Sequence, residues 1–248
     1  MQRMRRVRDW VVRLIGSAAA MMLAACAGAP RDASLPIDDP NEVSNRAAFA
    51  ANRAVLHPAS QVVKALTPGP IHDRLHDLSA NLNEPRVFAN DLLQGRFDAA
   101  AKTASRFLIN STVGVGGLFD VAASAGVPQQ SGDFGQTLFV WGVPSGPYTV
   151  MLYYGPATAR DAVGTWIDAL GDPVGWALAV PLGAAGYIGP GAVDAAARLS
   201  EFREAENASI DFYSFLRSAY YQTRRAELRE ALGLPPVVES PATATPHR

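Results

Sequence analysis

Apolar and polar positions alternate in three different ways along this 248-residue chain. At the N-terminus Arg3, Arg5, Arg6, Arg8 and Arg13 precede an apolar run from Leu14 to Ala25. That run is too short for an ordinary spanning helix and has the layout of a secretory signal. From Asp39 onward the spacing becomes helical. Asp39-Pro40-Asn41-Glu42 combines a capping carboxylate, a proline at the first helical position and an acidic third residue, which predicts a helix start. This helix is expected to run to about Leu56, where His57-Pro58 interrupts it. Thr67-Pro68-Gly69-Pro70 is a break. Ile71, Leu75, Leu78 and Leu82 then form one apolar stripe. Asn83-Glu84-Pro85 predicts a further short helix ended by Gly95, and Asp98 predicts a cap for Ala99 to Asn110, with Phe107, Leu108 and Ile109 on its last turn.

The middle of the chain changes character. No residue between Phe134 and Ala159 is charged, yet the stretch holds Phe134, Phe139, Trp141, Tyr148, Tyr153 and Tyr154. Aromatic, charge-free segments of this kind suit a membrane interface. Pro173 to Val193 is again uncharged, but its many glycines and Pro181 make it a poor spanning helix. Two short apolar helices bent at Pro181-Leu182-Gly183 fit better, either dipping into one leaflet or buried as a core hairpin. Charge returns at Asp194. From there to Leu232 one or two helices are expected, with Leu199, Phe202, Ile210, Phe215, Leu216 and Tyr220 as the apolar stripe and the charges on solvated faces. Strand signals are thin, and Tyr148 to Tyr154 is the best extended segment. The pattern as a whole predicts an all-α protein.

Composition narrows the function. The single cysteine, Cys26, closes Leu23-Ala24-Ala25-Cys26, where a bacterial lipoprotein signal is cut and the new N-terminal thiol receives a diacylglyceryl group. Residues 1–25 are then expected to form the signal peptide, 26–38 a lipidated tether, 39–232 a helical domain and 233–248 a disordered C-terminal tail. Ala27 follows the cysteine in place of an aspartate, which directs the expectation to the outer membrane, on its periplasmic face. Loss of residues 1–25 removes five arginines and Asp9 and moves the net charge from −1 to −5. An acidic body with only Lys64 and Lys102 as lysines argues against nucleic acid and against a polybasic headgroup patch.

Catalytic chemistry is not indicated. His72 and His76 share a helix face, but no His-Glu-x-x-His frame or third ligand accompanies them, so no metal is expected. Gly114-Val115-Gly116-Gly117 lacks either phosphate-loop spacing and reads as a tight corner. Ser145 has no nucleophile elbow, and Asp133, Asp161, Asp168 and Asp172 have no histidine nearby in sequence. Neither an enzyme nor a cofactor is expected. Lipid is the natural ligand.

Several motifs in register point further. They are Asp39-Pro40 with Glu42 and Asn45-Arg46; Asn81-Leu82-Asn83-Glu84-Pro85 leading to Leu93-Gln94-Gly95; Arg106-Phe107 with Asn110; and Gly114 through Ala122. Phe134-Gly135-Gln136-Thr137-Leu138, Gly142-Val143, Gly146-Pro147-Tyr148, Tyr154-Gly155 and Arg160-Asp161 continue the series. Through these the chain closely resembles the MlaA (VacJ) lipoproteins of Gram-negative outer membranes over roughly Asp39 to Leu228. The resemblance implies a ring-like arrangement of short helices with an amphipathic channel and a membrane-dipping hairpin, embedded in the periplasmic leaflet of the outer membrane. It implies association with a trimeric outer-membrane porin. It further implies removal of misplaced phospholipid from the outer leaflet and its delivery to a periplasmic lipid-binding protein (MlaC-like). Lipidation maps to Cys26. Channel or gate roles map to Asp39, Pro40, Asn41, Glu42, Asn45, Arg46, Gly114, Gly116 and Gly117, and the membrane hairpin to Trp166, Trp176, Pro181, Gly183 and Tyr187. The alternative is a structural adaptor that binds porins without moving lipid.

Overall fold

The computed structural model describes residues 39–172, 175 and 206–234. Cys26, Trp176, Pro181, Gly183 and Tyr187 lie outside these residues, as do the expected bend at Pro181 and the segment from Asp194 to Phe202. Seven helices and one hairpin follow in order among the described residues: α1 (Glu42–Leu66), α2 (Gly69–Leu93), α3 (Phe97–Thr112), α4 (Val121–Ser124), α5 (Phe134–Val140), β1 (Tyr148–Met151), β2 (Gly155–Thr158), α6 (Ala159–Leu170) and α7 (Phe212–Ala231). The helical class holds, and a small antiparallel sheet is added to it.

Two predicted breaks are absent. Helix α1 continues through Pro58, and α2 runs unbroken through Pro85. In α1 the proline deprives only the carbonyl of Ala54, in an exposed turn where water can serve it, and Ser60 Oγ donates to the carbonyl of His57 at 2.8 Å. In α2 packing along α3 outweighs the local penalty. The stop at Gly95 forms as expected: φ is +74°, and the amides of Gly95 and Arg96 return to the carbonyls of Leu92 and Asp91. Helix α3 starts at Phe97, with Asp98 in its first turn rather than capping it.

Strand β1 pairs with β2 from Tyr148↔Thr158 to Met151↔Gly155, so the expected extended segment turns back on itself at Leu152-Tyr153-Tyr154. Two asparagines of α1 serve the outer edge of β1 as a third strand would. Asn45 accepts from the amide of Val150 at 3.0 Å and donates to the carbonyl of Tyr148 at 3.2 Å. Asn52 accepts from the amide of Tyr153 and donates to the carbonyl of Met151, both at 2.8 Å.

Helices α2 and α3 pack together, α5 lies across α6, and α7 touches α5 and β2. The α5–α6 crossing is close because Gly135 and Gly164 face each other: a Cβ on Gly164 would stand 2.3 Å from the Gly135 nitrogen. Apolar core is sparse. Tyr148, Val150, Tyr213 and Tyr221 form one cluster, Phe139 and Leu228 another. Phe139 and Tyr148 are therefore core residues and not the interfacial ones expected from the charge-free pattern.

Candidate functional site

The interior of the body is polar. Arg106 of α3 and Arg224 of α7 are both buried, and each gathers carboxylates from other elements. Arg106 meets Glu84 of α2 through Nε at 2.8 Å and Asp120, ahead of α4, through Nη2 at 2.8 Å. Arg224 meets Asp133, ahead of α5, at 2.6 Å and Asp161 of α6 at 2.7 Å. Asp161 is held further by Arg160, by Thr158 Oγ1 at 2.7 Å and by the Tyr220 hydroxyl. Burial works against ionisation of Asp161, but the Arg224 guanidinium outweighs it and holds the carboxyl at about 2. Asp133 is lowered by the same balance. Glu84 goes the other way: burial raises it despite Arg106.

One device recurs. Asp120, Asp133 and Asp211 each cap a helix by accepting from the amides of Ala123, Gln136 and Ser214, and each also binds an arginine of another helix. The partners are Arg106, Arg224 and Arg46. A single aspartate thus orients a helix and fastens it to its neighbour. Between the two arginine centres runs an uncharged relay with a carboxylate at its end. Gln94 donates to Thr137 at 3.1 Å, Thr137 to Asn90 at 2.8 Å, and Asn90 to Asp168 at 2.9 Å.

The N-terminal candidates converge. Asp39 does not cap α1; its carboxylate accepts from Asn45, Arg217 and the Tyr213 hydroxyl. Burial opposes its ionisation, but those hydrogen bonds win and lower its pKa. Glu42 pairs with Arg46 at 2.7 Å, and Arg46 reaches Asp211 at 2.6 Å and lies 4.4 Å over the Tyr213 ring. Pro40 and Asn41 are exposed in the turn before α1, and the carbonyl of Asn41 accepts from the amide of Asn45. The glycine corner is a separate place. A Cβ on Gly114 would meet the carbonyl oxygens of Phe119 at 2.3 Å and Asn110 at 2.5 Å; on Gly117 (φ +98°) it would meet Asn81 at 2.6 Å. Gly116 needs its left-handed φ of +73° but has open space around it. Among the described residues no hydrogen bond or ion pair joins the corner to the Asp39–Arg46 cluster. Trp166 sits on α6, exposed. No group of three histidine, cysteine or acidic side chains among the described residues could hold a metal.

Large apolar side chains are exposed on several helices whose buried faces carry polar groups. In α2 the buried face carries Ser79, Asn81, Glu84, Asn90 and Asp91 together with Val87, whereas Ile71, Phe88, Leu92 and Leu93 are exposed and Leu75, Leu78 and Leu82 half-buried. In α3 Thr103, Arg106 and Asn110 are inside, and Phe97 and Leu108 outside. In α7 Tyr213, Tyr221, Arg224 and Leu228 are buried, so Arg224 is not on a solvated face, and Ile210 and Phe215 do not belong to the packed stripe. No helix among the described residues is long and apolar enough to cross a membrane.

A helical body in which α2, α3 and α6 bury polar groups and expose large apolar ones defines a protein whose surface is suited in part to a medium other than bulk water. The model of the MlaA lipoprotein family matches residues 37–227, and the chain belongs to that family. A protein of Shigella flexneri named intermembrane phospholipid transport system lipoprotein MlaA is 33% identical over 74% of this chain and 76% of its own length. An uncharacterized protein of Rickettsia felis is 38% identical over 54% of this chain, which spans 55% of that relative. A solved structure reported as "Structural basis for maintenance of bacterial outer membrane lipid asymmetry" superposes with a TM-score of 0.64 at 29% identity, over 77% of this chain and 98% of its own.

Proposed function

We propose that this protein is an outer-membrane lipoprotein, anchored through Cys26, that removes mislocalised phospholipid from the outer leaflet and passes it to a periplasmic lipid carrier. The observation that carries the reading is the inversion of α2, α3 and α6, whose polar faces are buried and whose apolar faces are exposed. A body of this kind displaces lipid with its rim and offers a zwitterionic or anionic headgroup a polar interior, while the acyl tails stay against apolar surface. No bond is made or broken. The kinship to phospholipid-transport lipoproteins supports the reading, as does the outer-membrane lipid-asymmetry structure. A trimeric porin as the membrane neighbour and an MlaC-like carrier as the acceptor rest on the family resemblance.

The test is the phospholipid content of the outer leaflet, measured on intact cells with an externally added phospholipase. Deleting the gene raises the accessible phospholipid, the intact chain restores the low level, and Cys26→Ala does not. Unchanged accessible phospholipid in the deletion strain would contradict the proposal.

A further inference from the structure

Helix α6 shows the inversion most sharply and is joined to a second feature. Arg160, Asp161, Gly164 and Asp168 face inward, and Val163, Trp166 and Ile167 face outward. The hairpin loop Leu152-Tyr153-Tyr154 lies beside this face, with the rings of Tyr154 and Trp166 6.3 Å apart. Leu152, Tyr153, Tyr154 and Trp166 are 57%, 66%, 56% and 59% exposed, so four large side chains meet solvent at one place.

Tyr153 has a φ of +68°, a left-handed conformation that strains any side chain other than glycine. The loop is held there from below, because Asn52 grips the amide of Tyr153 and the carbonyl of Met151. Glycine would take this φ freely. The exposed ring gains little packing in return for the strain, so its use lies outside the body.

We infer that Leu152, Tyr153, Tyr154 and Trp166 form an interfacial seat that meets the headgroup–acyl boundary of a phospholipid bilayer and fixes the depth of the body in it. This rests on the membrane-embedded reading given above and names the part that sets position. Three observations select lipid as the occupant. The patch has no charge with which to pair a protein partner, and its chain segment has none from Phe134 to Ala159. Tyrosine and tryptophan carry a polar tip on an apolar ring, which matches the boundary between headgroup and tail. The thirteen residues from Cys26 through Asp38 reach at most about 45 Å, which keeps every face of the body near the bilayer that holds the anchor.

The test uses the full lipidated protein in vesicles of phosphatidylethanolamine and phosphatidylglycerol. Cys26 carries lipid, so Leu152→Cys supplies one thiol for a fluorescent probe, with Gln129→Cys in an exposed loop as the comparison. Lipids brominated near the headgroup should quench the probe at 152 strongly and the probe at 129 weakly, and aqueous iodide should do the reverse. Protein that floats with vesicles while iodide quenches both positions equally overturns the seat and leaves the embedded reading standing. Shielding of position 152 from both quenchers means that protein covers the patch, which also overturns the seat. Failure to float removes both readings together. As a second measurement, Tyr153→Gly keeps the left-handed backbone, so the folded body survives. In a Cys26→Ala background it should weaken vesicle binding roughly tenfold, the loss expected for one interfacial ring. Undiminished binding would overturn the seat.

Discussion

The two buried arginine centres look alike and behave differently. Arg106 binds Glu84 and Asp120, which are near it in sequence, and joins α2, α3 and the start of α4. Arg224 binds Asp133 and Asp161, far from it along the chain, and joins α5, α6 and α7. At Arg224 both carboxyls are held below their ordinary value; at Arg106 burial raises Glu84, and Asp120 alone is lowered. In the first case the guanidinium outweighs burial at both carboxyls, and in the second burial outweighs it at Glu84. A buried ion pair is a fastening whose strength depends on what its partners can do when it is broken.

Arg224→Met should therefore have the largest effect. It strands Asp133 without a cation, leaves Asp161 with Arg160 alone, and should cost about 3–5 kcal/mol of folding stability, read by denaturant unfolding in mild detergent. Arg106→Met should cost less, about 2–3 kcal/mol, because Glu84 can neutralise itself by binding a proton. The loss at Arg106 should shrink on moving from pH 7 to pH 5, whereas the loss at Arg224 should not. Equal losses with the same pH dependence would dissolve the distinction between the two centres.

Acid should separate them as well. Asp161 ordinarily titrates near 3.8 and is held at about 2 in the fold, so its contribution is present above pH 4 and is lost as pH falls toward 2. That loss should be on the order of 2 kcal/mol and should be absent in Asp161→Asn. Glu84 has the opposite sign: its raised pKa makes the ionised form unfavourable to folding, so stability declines as pH rises through its titration. Glu84→Gln should remove that decline. The smallest effect expected is that of Asn52→Ala, about 1 kcal/mol for the lost side-chain bonds to the edge of β1, with protection of the Tyr153 amide from hydrogen exchange reduced.

Much of this was legible in the sequence. The helical class, the stop at Gly95 and the tight glycine corner followed from periodicity and backbone chemistry. The motif series from Asp39 to Asp161 pointed to the family that the comparisons then established. What periodicity left open was the direction of the helix faces. Ile71, Leu75, Leu78 and Leu82 were read as one apolar stripe with no side assigned; Ile71 is exposed and the three leucines half-buried, while Ser79, Asn81, Glu84 and Val87 are among the buried positions of that helix. Periodicity tells which face differs from its opposite, and the surrounding medium decides which of the two is outside. The charge-free middle, together with the expected lipidation at Cys26, was the clue to which side would face outward. The arginine centres were hidden for another reason: Asp133 and Arg224 are 91 residues apart, and no local spacing joins them. The capping aspartates at 120, 133 and 211 were not read as helix starts, because the caps were assigned to Asp39 and Asp98, and their second role needs the partner helix in place.

The central claim is that the apolar exterior meets lipid, and accessibility at that exterior tests it most directly. Single cysteines at Phe97, Leu108 and Val163, introduced into the full-length protein in outer-membrane vesicles opened to expose both faces, would be treated with a membrane-impermeant maleimide. The prediction is slow labelling at all three positions, at least tenfold below Gln129→Cys, with rapid labelling once detergent dissolves the membrane. Labelling of Phe97→Cys, Leu108→Cys and Val163→Cys as fast as Gln129→Cys in the intact membrane would contradict the account.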